Sequence, residues 1–198
     1  MLAVLGLGSN KSFDSLESVE ILARACIMLS RLFGDFLLSS VYRTKPMYVE
    51  NQADFYNMAV CGKTELSASE LLSEIHKIEA FFGRNRDLEI RNGARSLDID
   101  IEIYGNEEIH FSDPENPMKN LEIPHPRIHE RAFVLIPLLE VLPPDADIKK
   151  RDFLEESLAK VGNQGAVKFL SSSEFAQIVG NAGKNYGRAD SRTESDSN

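Results

Sequence analysis

The stretch LDIDIEI, residues 97–103, alternates apolar and acidic side chains with a period of two. Successive side chains of a β-strand point to opposite faces of a sheet, so this period predicts a strand with one apolar and one acidic face. The acidic face carries Asp98, Asp100 and Glu102. The apolar face carries Leu97, Ile99, Ile101 and Ile103. We therefore expect one side of this strand to enter a core and the other to present carboxylates.

Upstream of this strand, the sequence predicts two helices and three further strands. In two segments apolar residues recur at helical spacing until a glycine, Gly34 or Gly83, ends the pattern. Asp14, followed three residues later by Glu17, is typical of the cap that begins such a helix. Runs rich in β-branched and aromatic residues predict the strands. The predicted elements are a strand at 2–7, the helix after Asp14, strands at 36–44 and 55–61, and a helix at 71–82.

This order of strand, helix, strand, strand, helix, strand is that of a ferredoxin-like α+β sandwich. In that fold the helices pack on one face of an antiparallel sheet. We expect this domain to span residues 1–170, with another helix or strand at 131–142 and a surface insertion at 112–120. From Gly180 onward, small and polar residues lack any apolar period, which predicts a disordered tail over 180–198.

Length, composition and charge exclude several classes of protein. At 198 residues, 42% apolar and 27% charged, the chain has the profile of one globular domain. Its net charge of −9 disfavours nucleic acid and anionic membranes as partners, because the mean field repels phosphate. No apolar run is long enough to span a membrane and no basic leader opens the chain, so we expect a cytoplasmic protein. Cys26 and Cys61 match no metal or redox spacing and are interpreted as small buried hydrophobic residues.

The carboxylate pair Asp98 and Asp100 is the sharpest candidate for chemistry. Alternate residues of a strand lie on one face roughly 6 to 7 Å apart, so both side chains can converge on one divalent ion or on two. Mg²⁺ suits such a pair because it takes one or two carboxylates together with substrate phosphates and water. The alternative is a solvated polar face on a half-buried strand.

A cluster of arginines just before this strand favours a phosphate-binding site. Arginine side chains bind phosphoryl oxygens through two parallel hydrogen bonds, and a metal ion neutralises the remaining charge. The alternative is that they form surface ion pairs with Asp87 and Glu89. Within twelve residues the cluster contains Arg84, Arg86, Arg91 and Arg95.

Two shorter motifs carry less information. The segment 6–12 lacks the third glycine of a dinucleotide fingerprint, and a phosphate-binding Walker loop would need glycine where Asn10 stands. It is either a plain turn at a strand end or a close approach of backbone to a ligand. Pro126 steers His125 away from helical geometry, so its imidazole either donates to a phosphate or makes a structural hydrogen bond.

The chain resembles the 6-hydroxymethyl-7,8-dihydropterin pyrophosphokinases of folate biosynthesis in four blocks that occur in the family's order. They cover most of residues 2–144. The blocks are Gly6–Asn10; Tyr42–Thr44 through Pro46 to Phe55–Asn57; Glu79 with Gly83–Arg84 and Gly93–Asp100; and Pro124–Arg127 with Arg131–Phe133. Any one block would be weak, but four in the right order and spacing are specific.

The resemblance implies a ferredoxin-like fold and transfer of a pyrophosphoryl group from ATP to the hydroxymethyl group of the pterin, releasing AMP. It implies that Asp98 and Asp100 hold two Mg²⁺ ions, that Asp98 also lies near the attacking hydroxyl, and that Arg84 and Arg95 reach the phosphates during transfer. The implied ATP-binding residues are Glu79, Arg86, Arg95, His125 and Arg131. The implied pterin-binding residues are Thr44, Pro46, Met47, Phe55, Asn57, Asp98 and Phe133.

The sequence departs from the family at one notable point and leaves other functions open. Some members cover the pterin with a tryptophan of the arginine loop, whereas this chain has no tryptophan.

A ferredoxin-like nucleotide-binding regulatory module without catalysis is the alternative function. A metal-dependent nucleotidyl transferase or nuclease built on the carboxylate pair is a third. We expect a monomer whose partners are the two small-molecule substrates, with no nucleic acid and no membrane.

Overall fold

The computed structural model describes residues 1–47, 51–85, 93–144 and 148–193. Short 3₁₀ turns occur at Pro117–Lys119 and Ile128–Glu130. The strands are β1 Leu2–Ser9, β2 Gly34–Leu38, β3 Val41–Thr44, β4 Phe55–Lys63, β5 Asp98–Tyr104, β6 Ile109–Phe111, β7 Leu121–Ile123 and β8 Val167–Leu170. The helices are α1 Ser18–Leu29, α2 Ala68–Phe81, α3 Ala132–Val141, α4 Ile148–Val161 and α5 Ser172–Thr193. No helix in the described ranges is both long enough and apolar enough to cross a bilayer.

The main sheet is antiparallel and has the strand order β5-β1-β4-β3-β8, with β2 beside β3 along the same edge of β4. The α+β prediction is therefore confirmed, and β5 lies next to β1 as a ferredoxin-like order requires. The single strand predicted at 36–44 is two strands, β2 and β3. They separate at Ser39 and Ser40, where Ser39 Oγ accepts a hydrogen bond from Ala59 N at 2.9 Å and Ser40 Oγ donates to Glu140 at 2.6 Å.

Helices cover both faces of the sheet, whereas the sequence predicted them on one. On the first face, α1, α2 and α5 bury a continuous apolar core that includes Leu5, Val60 and Ile99. On the second face, α3 and α4 pack over a smaller core that includes Val4 and Ile103. The sequence missed the second layer because α4 lies beyond the predicted order and Pro137 interrupts the pattern of α3.

A β-bulge near the end of β5 changes which face its last residues take. Leu5 of β1 pairs with Ile101 and Val4 pairs with Ile103, so Glu102 is an extra residue on β5. An extra residue in one strand reverses the alternation beyond it. Ile103 therefore joins the second core rather than the face of Ile99 and Ile101, and the prediction of one uninterrupted apolar face is wrong at this residue.

The first helix, α1, and the last helix, α5, both differ from the sequence prediction. Helix α1 begins after Glu17, whose backbone N–H donates to Glu20 at 3.2 Å, and not at Asp14, which has a φ of 48° in a tight turn. Helix α5 extends through Thr193 into the stretch predicted to be disordered. Its buried Phe175 packs on the first core, and once such a contact fixes the first turns, each further residue adds a backbone hydrogen bond.

Candidate active site

An open cleft lies on the second face of the sheet, beside the end that α3 covers. Nine of the residues singled out in the sequence line it: Thr44, Met47, Phe55, Asn57, Arg95, Asp98, Asp100, Arg131 and Phe133. Pro46, Glu79, Arg84 and His125 are not part of its lining, and Arg86 lies outside the described residues. The tertiary structure therefore brings together two carboxylates, two arginines and two aromatic rings from three separate stretches of chain.

Glycines of β1 make room for the floor of this cleft. A Cβ atom on Gly6 would lie 3.0 Å from Glu102 Oε1, and a Cβ atom on Gly8 would lie 3.0 Å from Asn57 Oδ1. Both distances are shorter than an ordinary van der Waals contact, so a larger residue in β1 would displace these two polar side chains. The glycine motif in β1 therefore has a packing role, which the sequence could not distinguish from a plain turn.

A cluster of charged side chains surrounds Asp98, which lines the cleft. Arg84 donates hydrogen bonds to Glu79 and to Asp98, and Arg95 donates to the other oxygen of Asp98. Glu79 is only 1% exposed and also accepts a hydrogen bond from Ile99 N at 2.8 Å. Arg84 is itself 7% exposed in its side chain. The guanidinium groups of Arg84 and Arg95 thus neutralise the charge of Asp98, and the buried carboxylate of Glu79 fixes the position of Arg84.

Asn10 ties the arginine segment to the rest of the cleft. Its backbone N–H donates to Arg95 O at 3.0 Å, and its side-chain Oδ1 accepts from Arg95 N at 2.8 Å. Its Nδ2 donates to Gln52 Oε1 and Ala53 O, both at 3.1 Å. The buried Asn10 therefore links the end of β1, the approach to β5 and the segment before β4. Sequence reasoning gave this residue no role, although it ends the first block of the family resemblance.

Asp100 has an electrostatic environment that suits a cation. The pKa of Asp100 is raised to about 7, first by burial and then by the nearby carboxylates of Asp98 and Glu79, against the opposing effect of Arg131 and Arg84. A positive ion close to Asp98 and Asp100 would relieve this repulsion. Their donors are carboxylate oxygens, which are the ligands that Mg²⁺ prefers. The described residues contain no cluster of three or more metal-ligating side chains.

The inner walls of the cleft combine aromatic rings with a fixed amide. Asn57 Nδ2 donates to Thr44 Oγ1 at 2.9 Å, which fixes the orientation of the buried amide. Phe55 and Phe133 supply apolar walls, and the guanidinium carbon of Arg131 lies 5.7 Å from the centroid of the Phe133 ring. This combination can hold a flat, polar heterocycle, with rings against its faces and an amide at its edge.

His125 lies near the charged cluster but outside the cleft lining. Its Nδ1 accepts a hydrogen bond from Arg127 N at 3.1 Å, which leaves Nε2 as the donor of the neutral ring. Burial and the positive charges of Arg131 and Arg127 lower the pKa of His125 to about 4, against a smaller opposing effect of Asp98. The imidazole is therefore neutral near pH 7 and can donate a hydrogen bond without adding charge.

Glu102 is a polar residue of the cleft for which the sequence indicated no role. It is 1% exposed, lines the cleft floor, and its Oε2 has no hydrogen-bond partner among the residues that the structure describes. Burial raises the pKa of Glu102 well above its usual value, with a further contribution from the Asp100 carboxylate. The only sequence signal was that Glu102 is the third acidic residue of the alternating run.

Comparison with known proteins supports a single family. The family model described as 7,8-dihydro-6-hydroxymethylpterin-pyrophosphokinase (HPPK) matches residues 4–143. A 2-amino-4-hydroxy-6-hydroxymethyldihydropteridine pyrophosphokinase of Haemophilus influenzae is 40% identical over 141 residues, which cover 70% of this chain and 80% of the relative. The protein of the same name from Bacillus subtilis is 44% identical over 104 residues, covering 52% of this chain and 57% of the relative.

Solved structures agree on the fold. A crystal structure of wild-type Plasmodium falciparum HPPK-DHPS with pteroate superimposes with a TM-score of 0.56 and 17% sequence identity. The match covers 82% of this chain and 45% of that chain. The matched segment thus spans less than half of the Plasmodium chain and 57% of the Bacillus relative.

Proposed function

Since the chain belongs to the 7,8-dihydro-6-hydroxymethylpterin-pyrophosphokinase family, we propose that it transfers a pyrophosphoryl group from ATP to the hydroxymethyl group of 6-hydroxymethyl-7,8-dihydropterin. AMP is the leaving product, and the pterin diphosphate serves folate biosynthesis. The observation that carries the proposal is one cleft in which Asp98 and Asp100 stand beside the aromatic slot of Phe55 and Phe133. The family assignment does not favour the alternative of a regulatory module without catalysis.

The proposed roles divide the cleft between the carboxylates of β5 and the rings and amide that face them. Asp98 and Asp100 would hold Mg²⁺, with two ions expected, and the metal would neutralise charge on the triphosphate. Phe55 and Phe133 enclose the pterin ring while Asn57 hydrogen-bonds its edge. Thr44 orients the Asn57 amide, as its 2.9 Å hydrogen bond supports. Met47, on the segment after β3, lines the same cleft, and Pro46, proposed for the same substrate, directly precedes it in the chain.

The reaction requires positioning and charge neutralisation rather than a covalent enzyme intermediate. The hydroxymethyl oxygen forms a bond to the β-phosphorus, and the bond from that phosphorus to the oxygen of the α-phosphate breaks. The electron pair leaves with AMP, and the hydroxyl proton is released to the medium. No nucleophilic serine or cysteine is needed, in keeping with a cleft that contains neither residue type in its lining as described.

Arg84 and Arg95 change partners in this mechanism. In the free protein both donate to Asp98. During transfer these guanidinium groups would bind phosphoryl oxygens instead, where contacts that strengthen in the transition state raise the rate. Glu79 remains beneath Arg84 and limits how far it moves. Arg86, His125 and Arg131 complete the proposed nucleotide site.

Product analysis tests the proposal directly. The protein is incubated with Mg²⁺, ATP and 6-hydroxymethyl-7,8-dihydropterin, and nucleotides are separated by chromatography. AMP should appear in a one-to-one ratio with pterin diphosphate, and only when the pterin is present. Release of ADP, or no turnover, would contradict it. That the protein works as a cytoplasmic monomer stays a prediction of the sequence.

A further inference from the structure

The floor of the cleft contains a carboxyl group that the proposed mechanism does not use. Glu102 is buried to 1% exposure, and its Oε2 has no hydrogen-bond partner among the described residues. Leaving a buried polar atom unpaired costs folding free energy, and more for a charged group. An apolar residue at this position would cost less folding free energy. The carboxyl group therefore needs a hydrogen-bond partner that the described residues do not supply.

The β-bulge in β5 and a glycine in β1 together aim this carboxyl group into the cleft. Glu102 is the extra residue of the bulge, and its Oε1 lies 3.0 Å from where a Cβ atom of Gly6 would stand. Two residues further along β1, Asn57 Oδ1 occupies the corresponding space over Gly8. Alternate residues of a strand are roughly 7 Å apart, so two side-chain oxygens from opposite neighbouring strands share one floor.

The chemistry of this floor fits a planar ring with N–H donors. Side-chain oxygens accept hydrogen bonds, and the rings of Phe55 and Phe133 in the same cleft suit a flat heterocycle. We expect the triphosphate nearer Asp98, because Arg84 and Arg95 bind Asp98 at the start of β5, whereas Glu102 lies towards the end of that strand. A dihydropterin has ring N–H groups and an exocyclic amino group, all of which are donors.

We propose that Glu102 is a further substrate-binding residue, whose carboxyl group accepts a hydrogen bond from an N–H group of the pterin. This inference rests on the proposed function, since it concerns the same substrate. A carboxyl group retains an accepting oxygen whether or not it carries a proton, so the contact does not depend on its ionisation. Glu102 and Asn57 then each form a hydrogen bond with a different polar position of the pterin ring.

The test is a binding titration with two kinds of replacement at residue 102. Glu102→Leu removes both oxygens at similar volume, and Glu102→Gln keeps one. Calorimetry measures binding of 6-hydroxymethylpterin in the presence of Mg²⁺ and α,β-methylene-ATP, whose bridging carbon prevents transfer. We expect Glu102→Leu to weaken pterin binding at least tenfold, Glu102→Gln to stay within about threefold of the natural protein, and neither to change binding of the nucleotide analogue alone.

Stability distinguishes a binding role from a structural one. Removing a buried unpaired oxygen should leave the Tm of Glu102→Leu equal to or above that of the natural protein. Should the branched leucine not fit, Glu102→Met supplies an unbranched apolar side chain, with the same tenfold loss expected. The control is Glu107→Leu, an exposed position just beyond β5, which should change neither Tm nor pterin affinity.

The outcomes separate this inference from the proposed function. If the natural protein releases AMP and a folded Glu102→Leu or Glu102→Met variant binds the pterin with unchanged affinity, the role of Glu102 is refuted while the function stands. If Glu102→Gln loses as much affinity as Glu102→Leu, acceptance by the carboxyl oxygen is refuted. If the natural protein neither binds the pterin nor turns over, both proposals fail together.

Discussion

The two faces of the central sheet are built from alternate residues of the same strands, yet one is a buried core and the other borders the cleft. On the first face, Leu5 and Ile99 are fully enclosed beneath α1 and α2. On the second face, their neighbours Gly6 and Asp100 border an open cleft, because α3 covers only part of the sheet. A strand can therefore supply stability and chemistry at once, provided that a helix layer is incomplete on one side.

The difference teaches where each kind of substitution should act. Side chains on the first face contribute transfer free energy and packing, whereas those on the second include like charges and a buried carboxyl that oppose folding. Changes to the first face should lower stability and leave catalysis intact. Changes to the second should lower catalysis and leave stability unchanged or higher, except where a buried ion pair is broken.

The largest effect is expected at Asp100. Asp100→Asn should lower kcat by about 10⁴-fold, because the amide no longer offers a charged oxygen to the metal. The pKa of Asp100 is raised to about 7 in the folded protein, so its contribution to stability is present at low pH and is lost as pH rises towards and through 7. Asp100→Asn should therefore be more stable than the natural protein by about 1 to 3 kcal/mol at pH 8 and equal to it near pH 4.

Steady-state kinetics and urea unfolding at the two pH values check this prediction for Asp100. A variant that loses activity and also loses stability at pH 8 would contradict the view that this face carries uncompensated charge.

Arg84→Ala and Arg95→Ala are a matched pair of changes that tests the exception named above, the breaking of a buried ion pair. Each change to alanine should lower kcat by about 10² to 10⁴-fold with little change in pterin affinity, because the proposed contacts act in the transition state. Only Arg84→Ala should also destabilise the protein, by about 3 kcal/mol, since it leaves the buried Glu79 without its cation. Equal unfolding free energies for the two variants would show that Glu79 does not depend on Arg84.

Leu5→Ala tests the first face. Removing this fully buried side chain should cost about 2 to 5 kcal/mol of unfolding free energy through lost transfer energy and a residual cavity. At a temperature well below its Tm, the variant should keep kcat and both KM values within about twofold. A large rise in KM for the pterin would mean that the two faces are mechanically coupled through β1.

The smallest effect is expected at His125. Its pKa is lowered to about 4, so the unfolded chain binds more protons than the folded protein between about pH 4 and 6.5, and stability falls as pH falls through that range. His125→Gln should reduce this dependence by about 1 to 2 kcal/mol, after discounting for partial exposure. Unfolding free energies at pH 4.5 and 7.5 measure it, and an unchanged difference between the two would contradict the shift.

The site could be predicted from sequence to a useful extent because its residues lie in short, ordered blocks. Asp98 and Asp100 follow from a period of two, and the aromatic and amide residues Phe55, Asn57 and Phe133 follow from the family resemblance. All five line the cleft. That Glu79 contacts ATP stays a prediction of the family resemblance. The structure adds a buried partner in Arg84, a contact between α2 and the residues after it that no periodicity could indicate.

The sequence by itself determined the order of the first elements, the acidic and apolar sides of β5, and membership of a family, because these depend on local backbone geometry and on which residue follows which. Tertiary structure alone decided the bulge at Glu102, the second helical layer, and the space over Gly6 and Gly8 that side chains of neighbouring strands occupy. Those features depend on which backbone lies alongside which, and register and space between strands exist only once the sheet has formed.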